Sequence, residues 1–197
     1  MNYLAHAYLS FGYPEILVGN LISDFVKGKK KYSYPAGIQR GITLHREIDA
    51  FTDDHPLARE ARKFFRPAYR LYSGAFVDVV FDHFLANDTR VFPGDSLAGF
   101  CQQVYHQVDP AEHLLPEGFR RMYPYMKKEN WLYHYRSIRG IENSFAGLVH
   151  RAAYLQDSQP ACDLLRQHYG ELGALYGTFF PSLERYARQR LEELLSS

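Results

Sequence analysis

The sequence predicts an all-α protein, a single compact multi-helix domain, and three observations carry that reading. Apolar residues recur at helical spacing along successive stretches, nothing alternates with the two-residue period of a strand, and Pro and Gly punctuate helices instead of clustering between two halves. At 197 residues the chain can bury one sizeable core, whereas two independent domains would both be small. One domain over residues 1–197 is the expectation.

The first helix follows Pro14, a residue suited to a first turn because its missing N–H would be unpaired there anyway. Ile16, Leu17, Leu21, Ile22 and Phe25 then repeat on one face, so the helix runs to about Val26. The Gly28–Lys31 segment breaks it. A second periodic stretch opens near Pro35, carries Ile38, Ile42, His45, Ile48 and Asp49, and ends near Thr52. Asp53-Asp54-His55-Pro56 reads as the start of a third helix, leading into Leu57, Ala61, Phe64 and Phe65, with Pro67 ending or kinking it. From Gly74 to Asn87 the chain is almost continuously apolar, and its β-branched content would permit a strand. Its length, and the i, i+4 spacing that places Asp78 and Asp82 on one helical face, favour a buried helix. Further helices are expected near 95–108, 110–126, 130–155, 157–176 and 181–195.

Composition narrows the function classes. Hydrophobic residues make up 46% and charged residues 23%, ordinary globular usage that argues against disorder or a fibrous repeat. Sixteen Tyr and fourteen Phe imply bulky helix-to-helix packing with many hydroxyl tips that need a partner. A net charge of +1 and a pI near 7.8 give no global field that would mark a nucleic-acid or membrane binder, so partner choice must be local. Cys101 and Cys162 lie far apart, which supports neither a disulfide framework nor a cysteine zinc site. The start of the chain lacks a signal-peptide pattern and no run approaches the ~18 apolar residues of a membrane span, so a cytoplasmic protein is expected. Glycine-rich phosphate loops, a nucleophile-elbow serine and aromatic-basic repeats are also missing.

The feature that demands explanation is ionisable residues inside apolar helices, because an unpaired buried carboxylate costs several kcal/mol. Asp78, Asp82 and His83 sit in the most apolar stretch, Asp24 lies between Ile22 and Phe25, and His45 follows Ile42 and Leu44 with Asp49 one turn on. A divalent cation would resolve this, since carboxylate oxygen and neutral imidazole nitrogen are good ligands for Mn, Mg, Fe or Zn. The expectation is a site shared by three helices, with His45 and Asp49 presented on one face.

Several ordered segments resemble the acyl carrier protein phosphodiesterases: Asn2–His6, Gly19–Gly28, Gly41–Asp49 with Thr52-Asp53, and Asp78–Leu85, with a weaker echo at Trp131-Leu132 and Tyr135-Arg136. That resemblance implies hydrolysis of the phosphodiester joining 4′-phosphopantetheine to a serine of holo-acyl carrier protein, with Mn required, or Mg or Fe in its place. It also implies a distant branch of the helical HD phosphohydrolases. The HD signature is His followed by Asp, whereas this chain has Asp82 followed by His83.

Under that reading Asp24, His45, Asp82 and His83 are the expected metal ligands. Asp49 would orient His45 or another site group, His6 would protonate the departing serine oxygen, and Arg46 would hold a non-bridging phosphate oxygen. Carrier proteins are small and acidic, so the enzyme needs a local basic surface. Arg59, Lys63, Arg66 and Arg70 recur at helical spacing and form one candidate; Lys27, Lys29, Lys30 and Lys31 form another directly after Asp24. The ligand set by itself also admits a nucleotide phosphohydrolase, an iron oxygenase, or a non-catalytic adaptor for an acidic partner.

Overall fold

Proline and short polar side chains start the helices of this chain, and glycine sets how closely two of them approach. In the computed structural model, which describes residues 1–196, eleven α-helices follow one another with no strand among the described residues. They are α1 (Tyr3–Tyr8), α2 (Pro14–Ile22), α3 (Ala36–Asp54), α4 (Pro56–Tyr69), α5 (Ser73–Ala86), α6 (Ser96–Val108), α7 (Glu117–Lys128), α8 (Trp131–His134), α9 (Ile138–Arg151), α10 (Gln159–Gln167) and α11 (Tyr169–Ser196). Asn2 opens α1 by accepting the Tyr3 N–H at 2.9 Å, and Ser137 opens α9 by accepting that of Gly140 at 3.1 Å.

Boundaries depart from the sequence reading where local capping chemistry wins. The α2 helix stops at Ile22 and tightens into a 3₁₀ turn over Ser23–Phe25, which puts Asp24 beyond the helix body. Asp53 and Asp54 close α3 instead of opening α4; the α4 cap is His55, whose Nδ1 accepts the Leu57 N–H at 3.3 Å. The stretch expected over 110–126 divides into a 3₁₀ turn (Asp109–Leu114) and α7, and that over 130–155 divides at the Ser137 cap.

Two prolines expected to interrupt helices do not. Pro67 lies inside α4, two residues before its end at Tyr69, and the Lys63 carbonyl it frees belongs to an exposed residue that water can reach. Pro181 lies inside α11, and the residue four positions back, whose carbonyl loses its N–H partner, is Gly177, which stands beside open space. The expected break between 176 and 181 is therefore absent, and the actual break falls at His168, between α10 and α11.

The core is centred on α5, which packs against α1, α4, α9 and α11. Phe76, Val77, Val79, Val80, Phe81 and Leu85 are fully buried, and each such side chain contributes roughly 1.5–3 kcal/mol relative to exposure. Phe65 and Phe145 meet Phe76 at ring distances of 6.1 and 5.2 Å. No helix among the described residues is long and apolar enough to cross a membrane.

The crossing of α2 and α3 positions the site. Gly19 faces Ile38 and Gly41 faces Ile16 so closely that a β-carbon on either would collide with the opposite backbone carbonyl. Glycine on both sides lets the helices touch backbone to backbone. Asn20, at the contact, and Asp24, just beyond it, are thereby brought against His45 on α3.

Candidate metal centre

Three elements converge at this crossing. His6 comes from α1, His45 and Asp49 from one face of α3 at i and i+4, and buried Asn20 from α2. The two imidazoles stack almost parallel, 3.9 Å apart with 17° between their planes.

Asn20 fixes how both rings face. Its backbone carbonyl lies 2.7 Å from His45 Nδ1, and a carbonyl can only accept, so Nδ1 carries the proton. Its side-chain Oδ1 lies 2.8 Å from His6 Nδ1, while Nδ2 donates to the His6 carbonyl at 2.9 Å and to Ser10 Oγ at 3.1 Å, which sets the amide orientation. Both Nδ1 atoms are therefore donors to Asn20. Both Nε2 atoms turn toward Asp49.

His6 Nε2 lies 3.2 Å from Asp49 Oδ1, and His45 Nε2 lies 3.1 Å from Asp49 Oδ2. The His6 nitrogen nonetheless makes no well-aligned hydrogen bond, which leaves a buried imidazole lone pair without a proper partner. Asp24 completes the rim: its Oδ1 is 3.2 Å from His45 Nε2, and its side chain is 72% exposed, open to solvent and ligand.

Electrostatics follow from this crowding. Burial alone would lower the His45 pKa, but the Asp24 and Asp49 carboxylates outweigh it and hold the ring protonated up to about 9. Burial, with the charge of His45 alongside, pushes His6 down to about 4. Two stacked rings cannot both be charged, and the one nearer two carboxylates keeps the proton. Asp49 stays ionised: burial raises its pKa, but the Met1 amino group and both histidines lower it well below the usual range. That amino group lies 3.4 Å from Asp49 and 3.1 Å from Asp78.

The residues fit a divalent cation. Ligand atoms of His6, His45 and Asp49 all lie within 4.8 Å of one another. Adjacent ligands around an ion with bonds near ~2.1 Å stand about 3 Å apart, close to the 3.1 and 3.2 Å observed here. A cation would also give the His6 lone pair the partner it lacks.

The set of Asp24, His45, Asp82 and His83 expected from the sequence is not brought together. Asp24 and His45 are neighbours, but Asp82, fully buried, spends its carboxylate on the backbone N–H groups of Asn2 (3.1 Å), Leu4 (2.7 Å) and Ala5 (3.3 Å). It closes the first turn of α1 and so positions His6 indirectly. Burial pushes its pKa up to about 7 against the pull of the Met1 amino group and these donors.

His83 points the other way along α5. Its Nδ1 donates to the Tyr135 carbonyl at 2.7 Å and its Nε2 accepts from the Tyr169 hydroxyl at 2.8 Å. Burial lowers its pKa and keeps it neutral, with no lone pair left for a metal. Adjacent helical residues diverge by about 100°, which is why Asp82 and His83 serve different neighbours.

His6, expected as a proton donor, and Asp49, expected to orient His45, both stand inside the cluster, with Asp49 against His45 at 3.1 Å. Arg46 reaches back to donate to the Val26 carbonyl at 2.7 Å, pinning the chain just after Asp24. Asn20 went unsingled by the sequence reading. Its signal was an amide enclosed in the apolar run Leu17-Val18-Gly19-Asn20-Leu21-Ile22.

Of the two basic patches, α4 is largely neutralised by its own neighbours. Arg59 pairs with Asp54 at 2.8 Å, Arg62 with Asp53, and Lys63 with Glu60 at 2.6 Å. Arg66 and Arg70 are exposed beyond them. Lys27, Lys29 and Lys30 are exposed on the 3₁₀ turn Gly28–Ser33 and its approach, next to the Asp24 rim, while Lys31 leans 3.5 Å from Thr43.

A family model described as acyl carrier protein phosphodiesterase matches residues 1–183. Curated proteins bearing that name are similar over nearly the whole length. One from Photorhabdus laumondii is 32% identical over 191 residues, covering 96% of each chain. One from Yersinia pestis is 35% identical, and one from Yersinia enterocolitica 34%, each over 96% of this chain and 99% of the relative. No solved structure matches.

Proposed function

The chain belongs to the acyl carrier protein phosphodiesterase family, and on that premise we propose that it hydrolyses the phosphodiester between 4′-phosphopantetheine and the carrier-protein serine at the His6–His45–Asp49 cluster. The observation that supports the cluster as the site is the convergence of two Nδ1-anchored imidazoles on one ionised carboxylate, with a buried His6 nitrogen left without a hydrogen bond.

His6, His45 and Asp49 would hold a divalent ion, with Asp24 at the open edge. Such an ion supplies neutralisation of phosphoryl charge and a lowered pKa for an attacking water. Two imidazoles beside carboxylates suit Mn or Fe better than Mg, which prefers oxygen and retained water. Asn20 keeps a proton on Nδ1 of both rings, so that Nε2 is the nitrogen a cation would take, in place of the proton the carboxylates hold on His45. Asp24, exposed and ionised through its hydrogen bond to His45, is placed to accept a proton from water at the rim. Arg46, with guanidinium N–H groups to spare beyond Val26, would engage a non-bridging phosphate oxygen.

The acidic carrier protein would dock on Lys27, Lys29 and Lys30, which follow Asp24 and make no salt bridge among the described residues, and only secondarily on Arg66 and Arg70 at the end of α4. The cytoplasm, where carrier proteins are charged with their prosthetic group, is the proposed place of action. A relationship to HD phosphohydrolases rests on the helical His and Asp cluster; the Asp82-His83 pair takes no part in it. The test is incubation of holo-acyl carrier protein with chelator-treated protein, with and without Mn, followed by intact mass measurement. The proposal requires loss of the phosphopantetheine mass only when metal is added. Undiminished holo-protein under both conditions refutes it.

A further inference from the structure

A cavity of about 750 Å³ opens between the start of α1 and helices α8 and α9. That volume falls within the ~300–1,000 Å³ typical of small-molecule sites. Tyr3, Trp131 and Tyr135 give it aromatic walls, and Gly140, Ser144 and Gly147, at i, i+4 and i+7 of α9, give it a floor of small residues. Arg139 and Arg151 stand at its edge with no ion-pair partner among the described residues.

The cavity and the cluster share α1. Tyr3 lines the cavity and His6 enters the cluster three residues later, about 4.5 Å further along the helix axis. The Tyr3 hydroxyl senses both sides: burial raises its pKa to about 12, with the Asp24 charge adding to that and Arg151 opposing it.

Resting on the proposed reaction, we infer that this cavity receives the pantetheine arm of the carrier protein, so that Tyr3, Trp131 and the small face of α9 position the phosphodiester at the cluster. The arm alternates apolar carbon with two amides and ends in a thiol, which calls for aromatic walls interspersed with polar side chains. Ser137, Asn143 and Ser144 supply the latter. The anionic end of the arm is matched by Arg151, the cation at the end of α9 whose charge reaches Tyr3. Long aromatic residues on α9 would close the cavity, whereas its small residues keep it open.

Trp131 is the only tryptophan of the chain, so its emission reports occupancy without any turnover. Gly147→Leu fills the cavity with little risk to folding: a β-carbon at Gly147 meets only the flexible end of Arg151, at 3.5 Å, and leucine is the better helix former. Pantetheine, which lacks the phosphate, should give a saturable change in wild-type emission. Its affinity should fall at least ~10-fold in Gly147→Leu, whose side chain takes the space of the ligand, while Mn affinity and melting temperature hold. With holo-acyl carrier protein, kcat/KM should fall by a similar factor in the variant.

Absence of a saturable signal, or equal pantetheine affinity in both proteins, overturns the assignment. Failure of the wild type to release phosphopantetheine would instead defeat the proposed reaction, and the fluorescence titration would still judge the cavity.

Discussion

Replacing Asn20 by leucine tests whether the tautomer of the paired histidines is set from α2. The substitution keeps the volume roughly constant and removes three buried side-chain hydrogen bonds, those to His6 Nδ1, the His6 carbonyl and Ser10 Oγ. At roughly 0.5–1.5 kcal/mol net for each, the expected loss of stability is about 3 kcal/mol. His6 then loses the acceptor that holds its proton on Nδ1, and metal affinity should fall by about 10–100-fold, the usual effect of removing a partner that orients a ligand. His45 should keep its orientation, because its Nδ1 donates to the backbone carbonyl of residue 20, which leucine also supplies. Urea unfolding measures the first effect and Mn titration of the folded variant the second. The companion Ser10→Ala, which removes the hydrogen bonds of Ser10 Oγ to the His6 carbonyl and to Asn20, should lose about 2 kcal/mol with no change in metal affinity. Wild-type Mn affinity in Asn20→Leu would refute the claim that Asn20 orients His6.

His83→Ala should lose about 1–3 kcal/mol, since the buried Tyr135 carbonyl and the Tyr169 hydroxyl lose their partner, yet retain its Mn stoichiometry by elemental analysis. Charge reversal at Lys29 and Lys30 together should raise the Michaelis constant for holo-acyl carrier protein and flatten its salt dependence, while reversal at Arg59 and Lys63, already paired, should change both less. Asp88 is held below the usual carboxylate range by its Arg90 hydrogen bond. Its depressed folded pKa makes its contribution full above the unfolded value near 3.8 and lost as pH falls through the lower folded value. The stability gap between wild type and Asp88→Asn, read by urea at several pH values, should therefore be widest near neutrality and shrink below pH 4.

Helical periodicity made α3 legible from sequence within a residue or two, and the length of the apolar run with the Asp78 and Asp82 spacing did the same for α5, which is apolar nearly all round. The α10–α11 boundary was not legible, since Pro181 carries the usual sign of a break, yet the helix runs through it with the carbonyl it frees, that of Gly177, beside open space. The site divided in the same way. Spacing along one helix put His45 with Asp49, and their pairing is present in the structure. Spacing cannot say which of Asp82 and His83 looks toward α1 and which toward α8 and α11, because that depends on neighbours far along the chain, such as Leu4 and Tyr169. Tertiary hydrogen bonds absorbed both residues, and His6, only three residues into α1 and carrying no local pattern, took a place in the cluster.

The proposed reaction depends on two imidazole nitrogens and one carboxylate grasping a single cation. Mn anomalous scattering from crystals grown with the ion measures this directly. The account predicts one dominant peak bonded to Nε2 of His6, Nε2 of His45 and a carboxylate oxygen of Asp49, with His83 still bonded to Tyr135 and Tyr169. A peak centred on Asp82 and His83, or no ordered ion at saturating Mn, would contradict it.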